Sequence, residues 1–388
     1  MKRLSLFFVI IIAFLSVSLA HSEEPTIKQY PYLYKSPKAM GMGGAYVAVG
    51  GRTDTLFYNP AGLSTMPEKN LEVNILGFSV EAGKNVKDFA EDLSDAFDTG
   101  DLDGDGDKDD DQLRAVNDVL KRYRGKNLHF GLADWTSLGR NQESWAFAVG
   151  GLGRVRVDAM AHQGLGSDGI LEINADAVYG GIGGLSISLG KGFYAGLGVK
   201  ALHMESLVHK FTARELVEKE DNLDDYITDE LKKSGNAVGF DAGLIYKFAQ
   251  DSWLKPRFGL SVMNIGDLNF GDAGKIPMTV NLGVAVTPDI PVFDSLVVGL
   301  DYVDLFNNYE EDKDIGKRLR LGGELYLIDR KLLSFGLRAG LYQGYPTFGA
   351  DLRFLLITLS YVTYAEEVGA YSGQDSDRRH MVMLNIGW

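Results

Sequence analysis

The sequence predicts an all-β protein, a 14-stranded antiparallel transmembrane β-barrel with an N-terminal hatch (plug) inside the barrel, and three observations predict it. From about Asn70 to Trp388 apolar and small or polar residues alternate with period two, as in Met278, Val280, Leu282, Val284 and Val286. The alternation divides into fourteen segments, starting near residues 70, 127, 144, 169, 193, 236, 256, 276, 295, 317, 332, 345, 356 and 377. Many run ten residues or more, enough to cross a bilayer at a tilt, whereas globular strands average about five or six. The links between segments also alternate. Those at 84–126, 160–168, 210–235, 266–275, 307–316 and 366–376 are the longer set, and those near 138–143, 190–192, 249–255, 288–294 and 329–331 are mostly short. Long loops on one side and tight turns on the other characterise outer-membrane barrels, and a β-sandwich has no reason to sort its loops this way. The link at Gln343-Gly344 is short where a long one is due.

Residues 1–20 form a cleavable export signal. Lys2 and Arg3 give the positive start, Leu4 to Leu15 the apolar run, and Ser18-Leu19-Ala20 the small residues before the cut. Beyond it no apolar run is long enough for a spanning helix, so the expected location is the outer membrane of a Gram-negative-type cell, in contact with its lipid. Residues 21–69 do not alternate. Gly43-Gly44 permits tight backbone turns, and Asn59-Pro60 with Gly62 marks another, so this compact, glycine-rich stretch suits the inside of a barrel. Residues 70–388 form the barrel. In its third segment Gly150, Gly151 and Gly153 are dense enough to weaken a strand and permit a kink.

The first long loop, 84–126, holds an acidic run in which Asp101, Asp103, Asp105, Asp107 and Asp109 are spaced like an oxygen-ligand calcium loop with Gly106 at the sharp turn. Ca²⁺ in the 101–112 loop is the only cofactor the sequence suggests, against the alternative of a solvated acidic loop. Stretches 86–97 and 112–124 around it read as helices. The second long loop, 210–235, carries Leu216, Val217, Leu223, Ile227 and Leu231 at helical spacing, an amphipathic helix expected to cap the barrel mouth or dock a partner. In the later strands Arg257, Asp301, Arg318, Arg320, Glu324, Arg338, Asp351 and Arg353 share the inward parity. Mixed signs on neighbouring strands read first as an ion-pair network in the lumen; the sharper reading of Arg318, Arg320, Glu324 and Arg338 is a patch for an anionic head group. The last strand alternates through Val382, Leu384 and Ile386 to the terminal Trp388. That ending resembles the signal by which outer-membrane barrels engage the barrel-assembly machinery.

Composition narrows the function. Lys and Arg number 39 against 53 Asp and Glu, a net charge of −14, and no basic face suits nucleic acid. The absence of cysteine excludes disulfides, cysteine-ligated metals and thiol nucleophiles. The six histidines are scattered, and no G-x-S-x-G, H-E-x-x-H or P-loop occurs, so no catalytic residue is assigned and the protein does not read as an enzyme.

The stretch AMGMGGAYVAVGG, followed by DTLFYNPAGLS, resembles the N-terminal hatch of the FadL-type outer-membrane transporter superfamily, with its PorV-like and TraF-like branches. Gly43, Gly44, Tyr58, Asn59, Pro60, Ala61 and Gly62 carry that resemblance, and GLSVMNIGD with PMTVNLGVAV is similar to the PorV-like branch. It implies a fourteen-stranded barrel stoppered by the hatch. It also implies passive uptake of small hydrophobic molecules, fatty-acid- or hydrocarbon-like, from a loop-side docking site past a movable hatch, with a sideways exit at a kinked third strand. The basic residues that bind the ligand carboxylate in fatty-acid channels have no match here. The other branches imply a non-transport barrel, an anchor or shuttle for secretion or conjugation machinery, with a secretion-system partner.

Overall fold

The computed structural model describes residues 29–69, 71–99, 108–163, 169–330 and 332–388. Strands β1 (Leu71–Gly83), β2 (Asn127–Asn141), β3 (Trp145–Gln163), β4 (Gly169–Gly190), β5 (Phe193–Thr212), β6 (Lys233–Lys247) and β7 (Arg257–Met263) form half of a closed barrel. A two-stranded ribbon, β8 (Leu268–Asn269) with β9 (Lys275–Ile276), stands in the following loop. Strands β10 (Thr279–Val286), β11 (Ser295–Tyr302), β12 (Leu319–Asp329), β13 (Leu333–Tyr342), β14 (Tyr345–Phe354), β15 (Ile357–Glu367) and β16 (Ser376–Gly387) complete the cylinder, and β16 pairs with β1. The fourteen wall strands are antiparallel, as the alternation predicts. The short link at Gln343-Gly344 is a two-residue hairpin turn with positive φ at both positions.

Side chains sort by parity. Outward positions are apolar and exposed, as at Leu197 (68%), Val238 (65%) and Phe240 (56%), the face that lipid covers in a membrane barrel. The wall is uneven in height. Strands β3, β4 and β5 have 19, 22 and 20 residues, whereas β7, β10 and β11 have 7, 8 and 8. On the low side single hydrogen bonds beyond the strand ends, Ile265 N–H to Phe240 O and Leu305 N–H to Val280 O, prolong the ladder.

The tall part of β2–β5 is buried on both faces. Its outward residues Leu128, Val157, Ala159, Ala161, Leu171, Ile173 and Phe211 form one apolar core with Phe89, Leu93, Val116, Leu120, Leu216, Leu223 and Ile227. Those partners lie on helices 86–97 and 108–122 and on the short helical turns between 213 and 231. The helical segments of both long loops therefore buttress the outer side of the wall. Those of 210–235 do not cap the mouth as their amphipathic pattern suggested, because the wall itself rises far enough to offer them an apolar face.

Residues 29–69 run inside the cylinder. Ser36-Pro37 starts a one-turn helix at 37–41, and two 3-10 turns follow at 53–57 and 60–65. Asn59 caps the second turn, its side-chain oxygen accepting from Ala61 N–H at 3.0 Å. The lumen admits this backbone because inward wall positions facing it are glycine. A Cβ on Gly196 or Gly243 would strike Ala61 or Asn59, and one on Gly322 or Gly340 would strike Met42. The fit is reciprocal at Gly43, where φ is 63° and a side chain would run into the carbonyls of Leu321 and Leu341.

Candidate functional site

Above the hatch, at the long-loop ends of β7, β10, β11 and β12, lies a cavity with about 910 Å³ of free space counted out to its opening. Its apolar lining comes from Leu33, Met40, Val47, Phe57, Met263 and Ile276, and its aromatic lining from Tyr30, Tyr32, Tyr34, Tyr58, Tyr309 and Tyr342. Most of these are hatch residues, so the hatch builds the floor. Burial pushes the Tyr30 and Tyr34 hydroxyls well above the usual phenol range, so they stay neutral; Tyr30 donates to Pro277 O at 2.9 Å. Lys35, Lys200, Asp304, Asp312, Arg318 and Arg320 add charge to the lining, and a cavity that is apolar over most of its surface with oriented polar groups suits a small molecule.

The inward charges of the later strands divide into two sets. Glu324 binds Arg338 at 2.7 Å and hatch Lys38 at 2.9 Å, while Arg338 also pairs with Asp351. Burial opposes the charge on Lys38, but Glu324 outweighs it and holds the ammonium above the ordinary lysine range. This set is an ion-pair cluster tying hatch to wall. Arg318 and Arg320 have no carboxylate in ion-pair range among the described residues; they sit over the rings of Tyr302 and Tyr342 at 5.2 and 4.1 Å and line the cavity. Arg320 also donates to Tyr32 Oη at 3.4 Å. Asp301 lies opposite Arg320 in the ladder, yet its carboxylate turns to the hatch and accepts from Tyr46 N–H (2.5 Å) and Val47 N–H (2.7 Å).

A second buried cluster was not foreseen. His129 on β2 stands between Glu81 on β1 (2.8 Å) and Asp158 on β3 (2.7 Å). Arg379 on β16 reaches Asp377 at 2.7 Å, Asp158 at 3.4 Å and Glu81 at 3.6 Å. Gln29 and Lys35 of the hatch join it, through Arg379 and Glu366 respectively. The signal was available, since each of these wall residues has inward parity at the long-loop end of its strand. Only the closure of β16 on β1, however, shows that they meet.

The hatch motif is a fastening. Asn59 Nδ2 donates to Val47 O (2.8 Å) within the hatch and to Leu244 O (3.2 Å) of the wall. Tyr58 accepts from Ser36 N–H and packs edge-on against Tyr46. Gly43 and Gly44 both have positive φ at the turn beside β12 and β13, and Pro60, Ala61 and Gly62 form the capped 3-10 turn against β5 and β6.

Gly150, Gly151 and Gly153 mark no break. β3 pairs without a register shift to both neighbours through all three residues. Gly150 makes room for the ring of Trp135 on the lumen side, and Gly151 and Gly153 face outward with open space around them. The register shifts of the wall lie elsewhere: in β1, between Asn74 and Phe78 against β2 and between Asn74 and Leu76 against β16, and near the short-turn ends of the β4–β5 and β12–β13 pairs. In β1 side chains replace ladder bonds: Gly77 N–H donates to Asp134 Oδ1 (2.9 Å) and Thr136 Oγ1 donates to Ile75 O (3.1 Å). Asp101, Asp103, Asp105 and Asp107 lie outside the described residues, and Asp109 falls in the first turn of helix 108–122.

The fold recurs in solved structures of low identity. The Ralstonia pickettii toluene transporter TbuX matches at 12% identity over 92% of this chain and 99% of its own, with a TM-score of 0.50. A deltaS2S3 mutant of the TodX monoaromatic hydrocarbon channel matches at 12% identity over 91% and 97%, also at 0.50. No curated protein matches the sequence. A family model described as "F plasmid transfer operon, TraF, protein" matches residues 56–275, more than half of the chain and including the Asn59 motif. The barrel thus has the FadL-type fold, and the chain belongs to that TraF family.

Proposed function

We propose that the protein is an outer-membrane channel for passive uptake of small hydrophobic molecules. The observation that carries this reading is the aromatic and apolar cavity between the loop ends and the hatch, in a cylinder whose outer face is apolar. The fold-sharing TbuX and TodX structures, titled as a toluene transporter and a monoaromatic hydrocarbon channel, support the same substrate class. A ligand docks against the tyrosines, and Arg320 favours an anionic end where one is present. The ligand then moves along the hatch. Movement is confined to the stretch 29–35, which meets the wall through side chains, because 41–62 is wedged against wall glycines. It leaves sideways at the β1–β2 irregularity, the one place on these two strands where the ladder is interrupted. The mechanism needs no covalent chemistry.

Uptake into proteoliposomes of toluene and of a fluorescent long-chain fatty acid tests the reading. Faster entry than in empty vesicles, lost when Val47→Trp fills the cavity, is the expected result; entry equal to that of empty vesicles rejects it.

The family description favours a second reading, a barrel that anchors or shuttles for conjugation or secretion machinery. Co-purification of a large partner, lost on replacing the exposed residues of 213–231, distinguishes it. Calcium in the acidic loop stays a proposal supported by spacing; millimolar Ca²⁺ is expected to protect the loop from protease, and equal cleavage with calcium and chelator rejects it.

A further inference from the structure

At the short-turn end of the lumen two cationic residues stand opposite one another in the ladder. Lys247 is the last residue of β6 and Arg257 the first of β7, and they are register partners. Both share the inward parity of Gly243 and Gly259, which face the hatch. Like charges directly opposed on a strand pair repel, and no described carboxylate forms an ion pair with either. Lys247 Nζ donates to Ser64 O at 2.8 Å and lies 4.4 Å from the Tyr194 ring centre. Among the described residues the one side-chain hydrogen bond of Arg257 goes to Thr287 Oγ1 at 3.0 Å, and its Nε is buried without a partner. The hydroxyl of Ser64, a residue only 6% exposed, is also buried without one. Arg257, unlike Lys247 and Ser64, lines a wide vestibule with about 1340 Å³ of free space counted out to its opening, so the site is reached from the Arg257 side.

We propose that Lys247, Arg257 and Ser64 form an oxyanion site on the periplasmic side of the barrel, taking the carboxylate or phosphate group of a molecule that enters the vestibule. A fork of guanidinium donors, an ammonium and a hydroxyl meets the needs of such a group. An anion between the two cations turns a repulsive cross-strand pair into two charge-assisted hydrogen bonds. The site is separate from the uptake cavity, which lies on the other side of the hatch.

The test uses the full mature protein in maltoside detergent, with the unfolding midpoint followed against inorganic phosphate at constant ionic strength set by chloride. A saturable rise is expected for the native chain, with apparent affinity roughly tenfold weaker in Lys247→Gln and in Arg257→Gln. Without phosphate, Lys247→Gln should raise the midpoint because the repulsion is gone, whereas a lysine with a merely structural role would lower it. No saturable rise in the native chain, an unchanged rise in both variants, or a lowered phosphate-free midpoint in Lys247→Gln overturns the proposal. Dodecyl phosphate below its micellar concentration separates the sources. Action at far lower concentration than inorganic phosphate supports the site and assigns a lipid headgroup; equal concentrations support it and assign a soluble anion.

Discussion

Asn59 caps its own turn, holds Val47 and reaches the wall at Leu244, so one amide side chain fixes three pieces of backbone. Asn59→Ala leaves buried groups unpaired and should lower stability by about 1–3 kcal/mol, read as a fall in the unfolding midpoint in detergent. Arg320 and Arg338 should respond differently to Gln. Arg320 has aromatic and backbone partners, so Arg320→Gln should slow uptake of anionic hydrophobic ligands and spare neutral ones of similar size. Arg338→Gln breaks a buried cluster, leaves Glu324 and Asp351 under-compensated, and should cost about 3–5 kcal/mol while slowing both ligand classes alike. The motif around Asn59 was legible because Asn-Pro and the nearby glycines announce a turn. The role of Asp301 was not, since its cross-strand neighbour Arg320 suggested an ion pair that the hatch amides displace.

Among the elements, the strands were the most legible part, with starts read to within about three residues of those seen. Lipid outside and a packed lumen inside impose strict alternation on every one of them. The glycines of β3 misled because a small residue that makes room for the Trp135 ring and a kink leave the same trace in a sequence. The β1–β2 irregularity is open to test because the chain has no native cysteine. A disulfide between Ile75→Cys and Thr136→Cys should slow uptake until reduced, and unchanged uptake by the oxidised form would remove this exit. The buttress outside β2–β5 has an alkaline limit. Burial, with Glu215 at 2.8 Å, pushes the Tyr226 hydroxyl up to about 12 from an ordinary value of 10. The folded form thus keeps the proton longer than the unfolded one. The stabilisation is whole below about pH 10 and is lost as pH rises towards 12. Protease cleavage within 213–231 should therefore accelerate across that interval, and Tyr226→Phe should remove this component.

For the whole molecule, a filled lumen predicts small ion currents. Single-channel conductance in planar bilayers should lie far below that of an open porin, and deleting residues 21–69 should raise it; a large native conductance would contradict the packing of the hatch. The barrel was legible at this scale from strand count and loop lengths. The cluster of Glu81, His129, Asp158 and Arg379 was not, because its members are separated by up to about three hundred residues and meet only where the sheet closes. That seam has a consequence for biogenesis. Gln29 is bonded to Arg379 on the final strand and to Asp158, deep in an interior already spanned from end to end by the residues that follow it. Seating of this stretch and zipping of the last strand onto the first therefore draw on the same buried contacts, so each helps to hold the other in place.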